Sequence, residues 1–252
     1  MRGKERLAYI EDWIKKVGRV SVSEISRVCT VTEETVRRDL DILESAGKIT
    51  RIHGGAVWNT SSGTTGGQFY QRQSRNVLLK RRIAEKITPI IAGKRAIMAD
   101  SSTTVEEALK VLSGNSELMV VTNSAHLFQA VPTAEFTVIS TGGVFNGQSL
   151  SFQGEMAKNN VKLFNADIAL VSCNGLHREM GVLDSYENEV EIKRAMLSQS
   201  GEAALLVDHT KFDNTVFLKF ADLERLDYIV TDQKPADEWI KLCRERKITL
   251  IY

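Results

Sequence analysis

The chain has 252 residues, 42% apolar and 26% charged, with 33 Lys/Arg against 32 Asp/Glu. These are the proportions of a globular protein with room for one domain or two, and they hold no apolar run near the ~18 residues of a membrane span. The start, MRGKERLAYIEDWIKK, has no signal-peptide core, and Cys29, Cys173 and Cys243 are too scattered for a disulfide framework or a zinc site, so a cytosolic protein with buried free thiols and neither metal nor cofactor is expected.

The balanced total hides an asymmetry. Residues 1–82 carry 16 Lys/Arg and 9 Asp/Glu, whereas residues 83–252 carry 17 and 23. A basic end on an acidic body fits a molecule that meets a polyanion at one end only. It fits an unevenly solvated surface equally well.

In chain order, Leu7, Ile10, Ile14 and Val17 recur at helical spacing, and Gly18 is the expected stop. Ser21-Val22-Ser23-Glu24 is a capping-box pattern that opens a short helix. Thr32 can cap a third helix running to Gly47. Residues 48–52 and 56–58 read as two strands turning at His53-Gly54-Gly55, where adjacent glycines supply positive φ. Residues 59–68, NTSSGTTGGQ, are polar, glycine-rich and uncharged, as a linker is. The following stretch to Arg82 has five basic residues and no acid. The expected division is 1–58 for the basic module, 59–76 for a linker and 77–252 for a larger domain.

On the third helix, Val36, Leu40 and Leu43 form one apolar stripe, while Glu34, Arg37, Arg38 and Asp41 face away from it. A short helix, a tight turn and a helix with outward arginines make a helix-turn-helix, whose second helix enters the major groove. The arginine fork bonds guanine or phosphate in bidentate fashion. Thr32 and Thr35 offer hydroxyls to phosphate near the helix N-terminus, and Lys48, Arg51 and His53 place a basic wing against the DNA backbone. A merely amphipathic helix with solvated arginines is the alternative. The capping box, stripe, glycine stop and basic hairpin in this order weigh against it.

Beyond the linker, apolar strands are expected at 95–100, 118–122, 136–140, 167–172, 203–208, 228–231 and 248–252, with helix-length segments between most of them. That rhythm predicts an α/β domain with a mostly parallel sheet. Ligands bind at the carboxyl ends of such strands, near a switch in strand order. Here those ends are small and polar: Asp100-Ser101-Ser102-Thr103-Thr104, Thr122-Asn123-Ser124, Thr141-Gly142-Gly143, Cys173-Asn174-Gly175 and Asp208-His209-Thr210-Lys211.

Residues 6–57 resemble the DNA-binding module of the DeoR family of bacterial transcriptional regulators. The resemblance lies in Gly18, Val20 and Val22, in Thr32-Glu33-Glu34-Thr35-Val36-Arg37-Arg38-Asp39-Leu40, in Gly47, and in Arg51-Ile52-His53-Gly54-Gly55-Ala56. It continues through Phe69, Arg72, Lys80, Ile83 and Ala84 and the strand ends above, then Gly154, Glu189, Lys193-Arg194-Ala195-Met196 and Asp208-His209-Thr210-Lys211-Phe212. The resemblance implies DNA binding through Arg37 and Arg38. It also implies a sensor domain resembling ribose-5-phosphate isomerase and glucosamine-phosphate deaminase, and repression of sugar uptake or catabolism genes relieved by a phosphorylated sugar or related metabolite.

The residues fit a phosphate pocket. Ser101, Ser102, Thr103 and Thr104 lie between a strand and a helix, where N–H groups and hydroxyls cradle an anion. Lys211 adds charge, and Asp100, Asn123 and Glu189 accept from sugar hydroxyls. Gly142, Gly143 and Gly175 border the pocket. Many members of the family it resembles have glycine where this chain has Ser102, and either a rebuilt loop or a hydroxyl in place of a water accounts for the serine. An isomerase or deaminase with an appended DNA-binding module is the alternative, using Asp100, Glu189, His177 and Lys211. Symmetric operators imply a dimer or a higher even number of chains.

Overall fold

The computed structural model describes residues 3–46, 48–52, 54–58 and 66–252. Gly47, His53 and residues 59–65 of the expected linker lie outside them. The chain divides into two units, Met1–Val77 with Gly147–Leu150 and Leu78–Asn146 with Ser151–Tyr252.

The first unit begins with α1 (Gly3–Val17), which buries Ile10 and Ile14 one turn apart. Each fully buried side chain of this size contributes about 1.5–3 kcal/mol. Val17, expected on the same stripe, is exposed. Strand β1 (Arg19–Ser21) follows, and Ser21 caps α2 (Val22–Cys29). The capping box forms as the sequence predicts, Glu24 N donating to Ser21 Oγ at 3.1 Å and Ser21 N to Glu24 Oε2 at 2.8 Å. The helix stops at Thr30, which is left-handed at φ +53. Then come α3 (Glu33–Ser45), β2 (Ile49–Ile52) and β3 (Gly55–Trp58).

Among the described residues the strands form one antiparallel sheet in the order β1-β3-β2. β1 was not expected: three residues show no alternation, and its partner β3 lies more than thirty positions away. The close fit of β1 on β3 needs Gly55, because a Cβ there would meet Val20 O at 2.1 Å. Within the stretch expected to be a linker, α4 (Gly67–Ser74) forms, and its Phe69 is fully buried. α4 packs on β2 and β3.

The second unit runs α5 (Val77–Ala84), α6 (Thr88–Ile91), β4 (Ala96–Ala99), α7 (Thr103–Val111), β5 (Met119–Thr122), α8 (Leu127–Ala130) and β6 (Thr137–Ser140). A hairpin of β7 (Val144–Asn146) and β8 (Ser151–Gln153) follows, then α9 (Gly154–Val161), β9 (Ala166–Val171), β10 (Gly175–His177) and β11 (Gly181–Asp184). The chain ends with α10 (Glu187–Ser198), β12 (Ser200–Leu206), β13 (Leu218–Ala221), β14 (Tyr228–Val230), α11 (Asp237–Glu245) and β15 (Thr249–Ile251). All seven expected strands form, and they pair in parallel in the order β15-β14-β12-β9-β4-β5-β6.

Successive residues of a strand face opposite sides of the sheet. Ile97 and Ala99 of β4 therefore join a core with α5, α6, α7 and α8, while Met98 joins another with α9, α10 and α11. Both faces are covered, which explains why these strands read as continuous apolar runs. The chain builds outward from β4 through β5 to β6, then returns to lay β9 on the other side of β4. The strand order thus reverses between β4 and β9. Smaller antiparallel groups, β10-β11-β13 and β7-β8, flank this sheet. They were not expected, because segments such as VFN, SFQ and GLH carry too few apolar residues to read as strands.

Candidate DNA interface and ligand site

The outer face of α3 carries the expected charges. Thr32 caps the helix, its Oγ1 accepting from Thr35 N at 3.3 Å and lying 2.9 Å from Thr35 Oγ1. The Arg38 side chain is 76% exposed and its Nε lies 3.4 Å from Glu34, whereas Arg37 is 50% exposed with NH2 2.8 Å from Glu33. Exposed i,i+4 pairs of this kind hold by only a few tenths of a kcal/mol, so phosphate or guanine can displace the carboxylates. Val36, Leu40 and Leu43 are buried beneath.

The wing residues sit differently. Lys48 Nζ pairs with Glu11 at 2.6 Å. Arg51 turns back onto α3, its NH1 donating to Arg37 O at 3.1 Å and to Asp41 Oδ1 at 2.5 Å. It fixes β2 against the helix that carries Arg37. Deeper in the unit, Asp39 is buried and accepts both arms of Arg6 at 2.6 and 3.1 Å. His53 is outside the described residues.

In the second unit the carboxyl ends of β4, β5 and β9 bring Asp100, Asn123 and Ser172 side by side at the reversal of strand order. Asp100 is buried, Oδ1 accepting from Ser102 N at 2.9 Å and Oδ2 from Ser172 N at 3.0 Å. It thereby clamps the two strands that part here. Ser102 caps α7, accepting from Val105 N at 3.3 Å, with φ −74. This extended φ suits any residue, so serine sits at the cap without strain. Ser101, Thr103 and Thr104 are buried. Asn123 is also buried: Nδ2 donates to Phe152 O at 3.2 Å and lies 3.5 Å from Ser101 Oγ, while Oδ1 has no partner among the described residues.

A group outside the expected set completes the centre. Lys193 of α10 is buried, donating to Ser172 O at 2.8 Å and to Asp184 of β11, with Asp100 Oδ2 at 3.3 Å. Burial by itself lowers its pKa, but Asp184, Asp100 and Glu189 outweigh that and hold the ammonium above its ordinary value. The Lys193 ammonium also lies 5.3 Å from the centre of the Phe220 ring. The signal was present in the sequence: Lys193 stands on the stripe of Val190, Met196 and Leu197, where a lysine requires a buried partner. Glu189, in the first turn of α10, is buried beside it.

The other expected residues are more spread. Lys211 ends a 3-10 turn, His209–Lys211, after β12, and the residue is half-buried. β12 lies two strands from β4, about 10 Å away. Gly142 and Gly143 are left-handed at φ +59 and +110, and a Cβ on Gly143 would come within 2.7 Å of Ala157 Cβ. Gly175 permits backbone approach, since a Cβ would lie 2.5 Å from Asn214 O. His177 is taken up locally, its Nδ1 accepting from Glu179 N and Met180 N at 3.2 and 3.3 Å. Cys29, Cys173 and Cys243 are free and buried, and burial pushes the Cys173 thiol up to about 12. Among the described residues no helix is long and apolar enough to cross a membrane, and no group of His, Cys, Asp or Glu is placed to hold a metal.

An arginine-bearing helix-turn-helix with a wing, joined in one chain to a parallel α/β unit with a polar centre at its switch point, defines a DNA-binding transcriptional regulator. Comparison with known proteins agrees. Residues 6–62 match the DeoR-like helix-turn-helix domain and residues 75–233 the DeoR C-terminal sensor domain. The L-fucose operon activator of Haemophilus influenzae is 31% identical over 96% of this chain and 97% of its own length. The glycerol-3-phosphate regulon repressor of Escherichia coli is 28% identical over 99% of both. Among solved structures, ribose 5 phosphate isomerase A of Neisseria gonorrhoeae aligns with 56% of this chain and 54% of its own at TM-score 0.40 and 13% identity. The chain belongs to the DeoR family.

Proposed function

We propose that this regulator is a cytoplasmic repressor of sugar uptake or catabolism genes, released from its operator by a phosphorylated sugar or related metabolite. In this reading residues 1–58 contact DNA, residues 77–252 hold the effector, and two or a higher even number of chains engage a symmetric operator. The observation that carries the effector reading is Asn123 Oδ1, buried without a partner among the described residues beside Ser101. An unsatisfied buried acceptor costs about 1–3 kcal/mol, which a sugar hydroxyl donating to it would relieve. The N-terminus of α7 at Ser102 supplies N–H groups for a phosphate, and Lys211 supplies a cation two strands away. The names of the relatives support a carbon-source signal, since one is an L-fucose operon activator and the other a glycerol-3-phosphate regulon repressor.

The test is a titration of operator DNA with and without each member of a panel of phosphorylated sugars, alongside thermal unfolding. An effector at ~100 times its Kd adds about 2.7 kcal/mol if it binds the folded state alone. Lys211→Ala is expected to bind operator as the parent does and to resist release. Release of Lys211→Ala at the parent's effector concentration would remove Lys211 from the site, and a panel with no stabilising member would remove the phosphorylated sugar.

A further inference from the structure

Within the first unit, β2 is an edge strand of its sheet, and Arg51 fastens that edge to α3 twice. Its backbone N–H donates to Glu44 Oε1 at 2.9 Å. Its side chain turns the same way, NH1 donating to Arg37 O at 3.1 Å and to Asp41 Oδ1 at 2.5 Å. Arg37, Asp41 and Glu44 stand four and three positions apart on α3, so the grip follows one face of the helix over two turns.

These contacts decide what the guanidinium can still do. An arginine holds a phosphate or a guanine with two neighbouring N–H groups of its fork. In Arg51, NH1 is shared between two acceptors, and Nε is buried with no hydrogen-bond partner among the described residues. Each two-point grip of the fork uses either Nε or NH1, so a bidentate hold on DNA is closed to this side chain. A buried donor without a partner is unfavourable, and the NH1 contacts keep the side chain in place in spite of it. Arg38 is the contrast: it is 76% exposed with one carboxylate 3.4 Å away, and its fork is open.

We propose that Arg51 is a positioning residue for base reading: it clasps the wing to α3 and fixes the turn of helix from which Arg37 projects, without binding DNA itself. This rests on residues 1–58 meeting DNA through α3. Discrimination between bases depends on hydrogen-bond geometry at the base edges, whereas attraction to phosphates does not. Loss of the clasp therefore lowers specificity more than it lowers affinity for DNA in general.

The test uses the full chain and two probes, a duplex that the parent enriches from a random-sequence pool and an unselected duplex of equal length. The readouts are the ratio of the two affinities and the slope of log affinity against log salt. Arg51→Ala is expected to lower the ratio about tenfold and to keep the parent's slope. A phosphate-binding arginine behaves otherwise: its loss weakens both duplexes alike and lowers the slope by about 1, and that result overturns the proposal. In an Arg37→Ala chain the further loss from Arg51→Ala is expected to shrink below about twofold, because one residue acts through the other; losses that add overturn it. Asp41→Asn removes an acid from the helix that faces DNA, which by charge alone strengthens binding to both duplexes. A lower ratio in that variant supports the clasp, and an unchanged ratio overturns it. Asp41 is 65% exposed, so Asp41→Asn decides if Arg51→Ala does not fold. An Arg37→Ala chain with the parent's ratio, or a parent that enriches no sequence, overturns the placing of α3 as the reader and the clasp with it. Sensitivity to Arg37→Ala with an additive loss from Arg51→Ala overturns the clasp alone.

Discussion

Lys193→Met tests how far the centre of the second unit depends on its buried cation. The ammonium lies 3.3 Å from Asp100 Oδ2 and closer still to Asp184. At an effective dielectric constant of ~20, one pair at that distance attracts by about 5 kcal/mol. Desolvation of three buried charges offsets much of this, and truncating one partner of a buried pair costs about 3–5 kcal/mol because the remaining charge is stranded. Methionine keeps most of the lysine stem, so the packing against Phe220 changes little. The assay is urea unfolding followed by Trp239, which is buried in the second unit, in a background where Trp13 and Trp58 are phenylalanine. A loss of about 3–5 kcal/mol lowers the Tm of a unit this size by about 10 °C. Lys234→Met, at an exposed pair with Asp237, is the control and leaves the transition in place. A Lys193→Met transition within about 1 kcal/mol of the parent would refute the claim that the charges at the switch point are mutually dependent.

Arg37→Ala and Arg38→Ala are each expected to lose about 1–3 kcal/mol of operator affinity without unfolding the first unit, and competition DNA with single-base changes tells base contacts from phosphate contacts. Gly143→Ala is expected to destabilise the second unit by about 1–3 kcal/mol, since the new methyl meets Ala157 Cβ at 2.7 Å and Gln153 O at 2.8 Å at a positive φ; an unchanged melting curve would show that the hairpin entry relaxes freely. Glu106 carries a pH prediction. Burial raises its pKa, but the hydrogen bond and charge of His126, with Lys110, bring it below the ordinary 4.5. A depressed folded pKa contributes stability above the unfolded value that is lost as pH falls through the folded one, so stability is expected to drop below about pH 4.5, and Glu106→Gln is expected to flatten that acid limb.

Much of the molecule is legible along the chain because its causes are local. The capping box at Ser21 and Glu24, the Thr32 cap and the stripe of Val36, Leu40 and Leu43 each act within one or two helical turns. The inner strands of the main sheet are legible because burial on both faces makes their centres apolar, as at Ile97, Met98 and Ala99 of β4 and Ile168, Ala169, Leu170 and Val171 of β9. The polar strand ends also read correctly as places, since a parallel sheet sends all of them to one edge.

What the tertiary structure decided is which of those residues meet. The ion pair of Lys193 with Asp100 spans more than ninety positions, and no spacing rule joins them; only the return of the chain from β6 to β9 does. Arg51 is legible as a basic residue on a hairpin strand, but not that its guanidinium lies on Arg37 O and Asp41 of α3. Asn123 was legible as an acceptor at a strand end, but not as an amide with one end tied to Phe152 and the other unsatisfied. Those facts depend on β8, a strand too short to show a period and held in place by contacts far away in sequence. Periodicity records what a residue's own turn or pleat requires, and long-range pairing leaves no comparable trace in one chain.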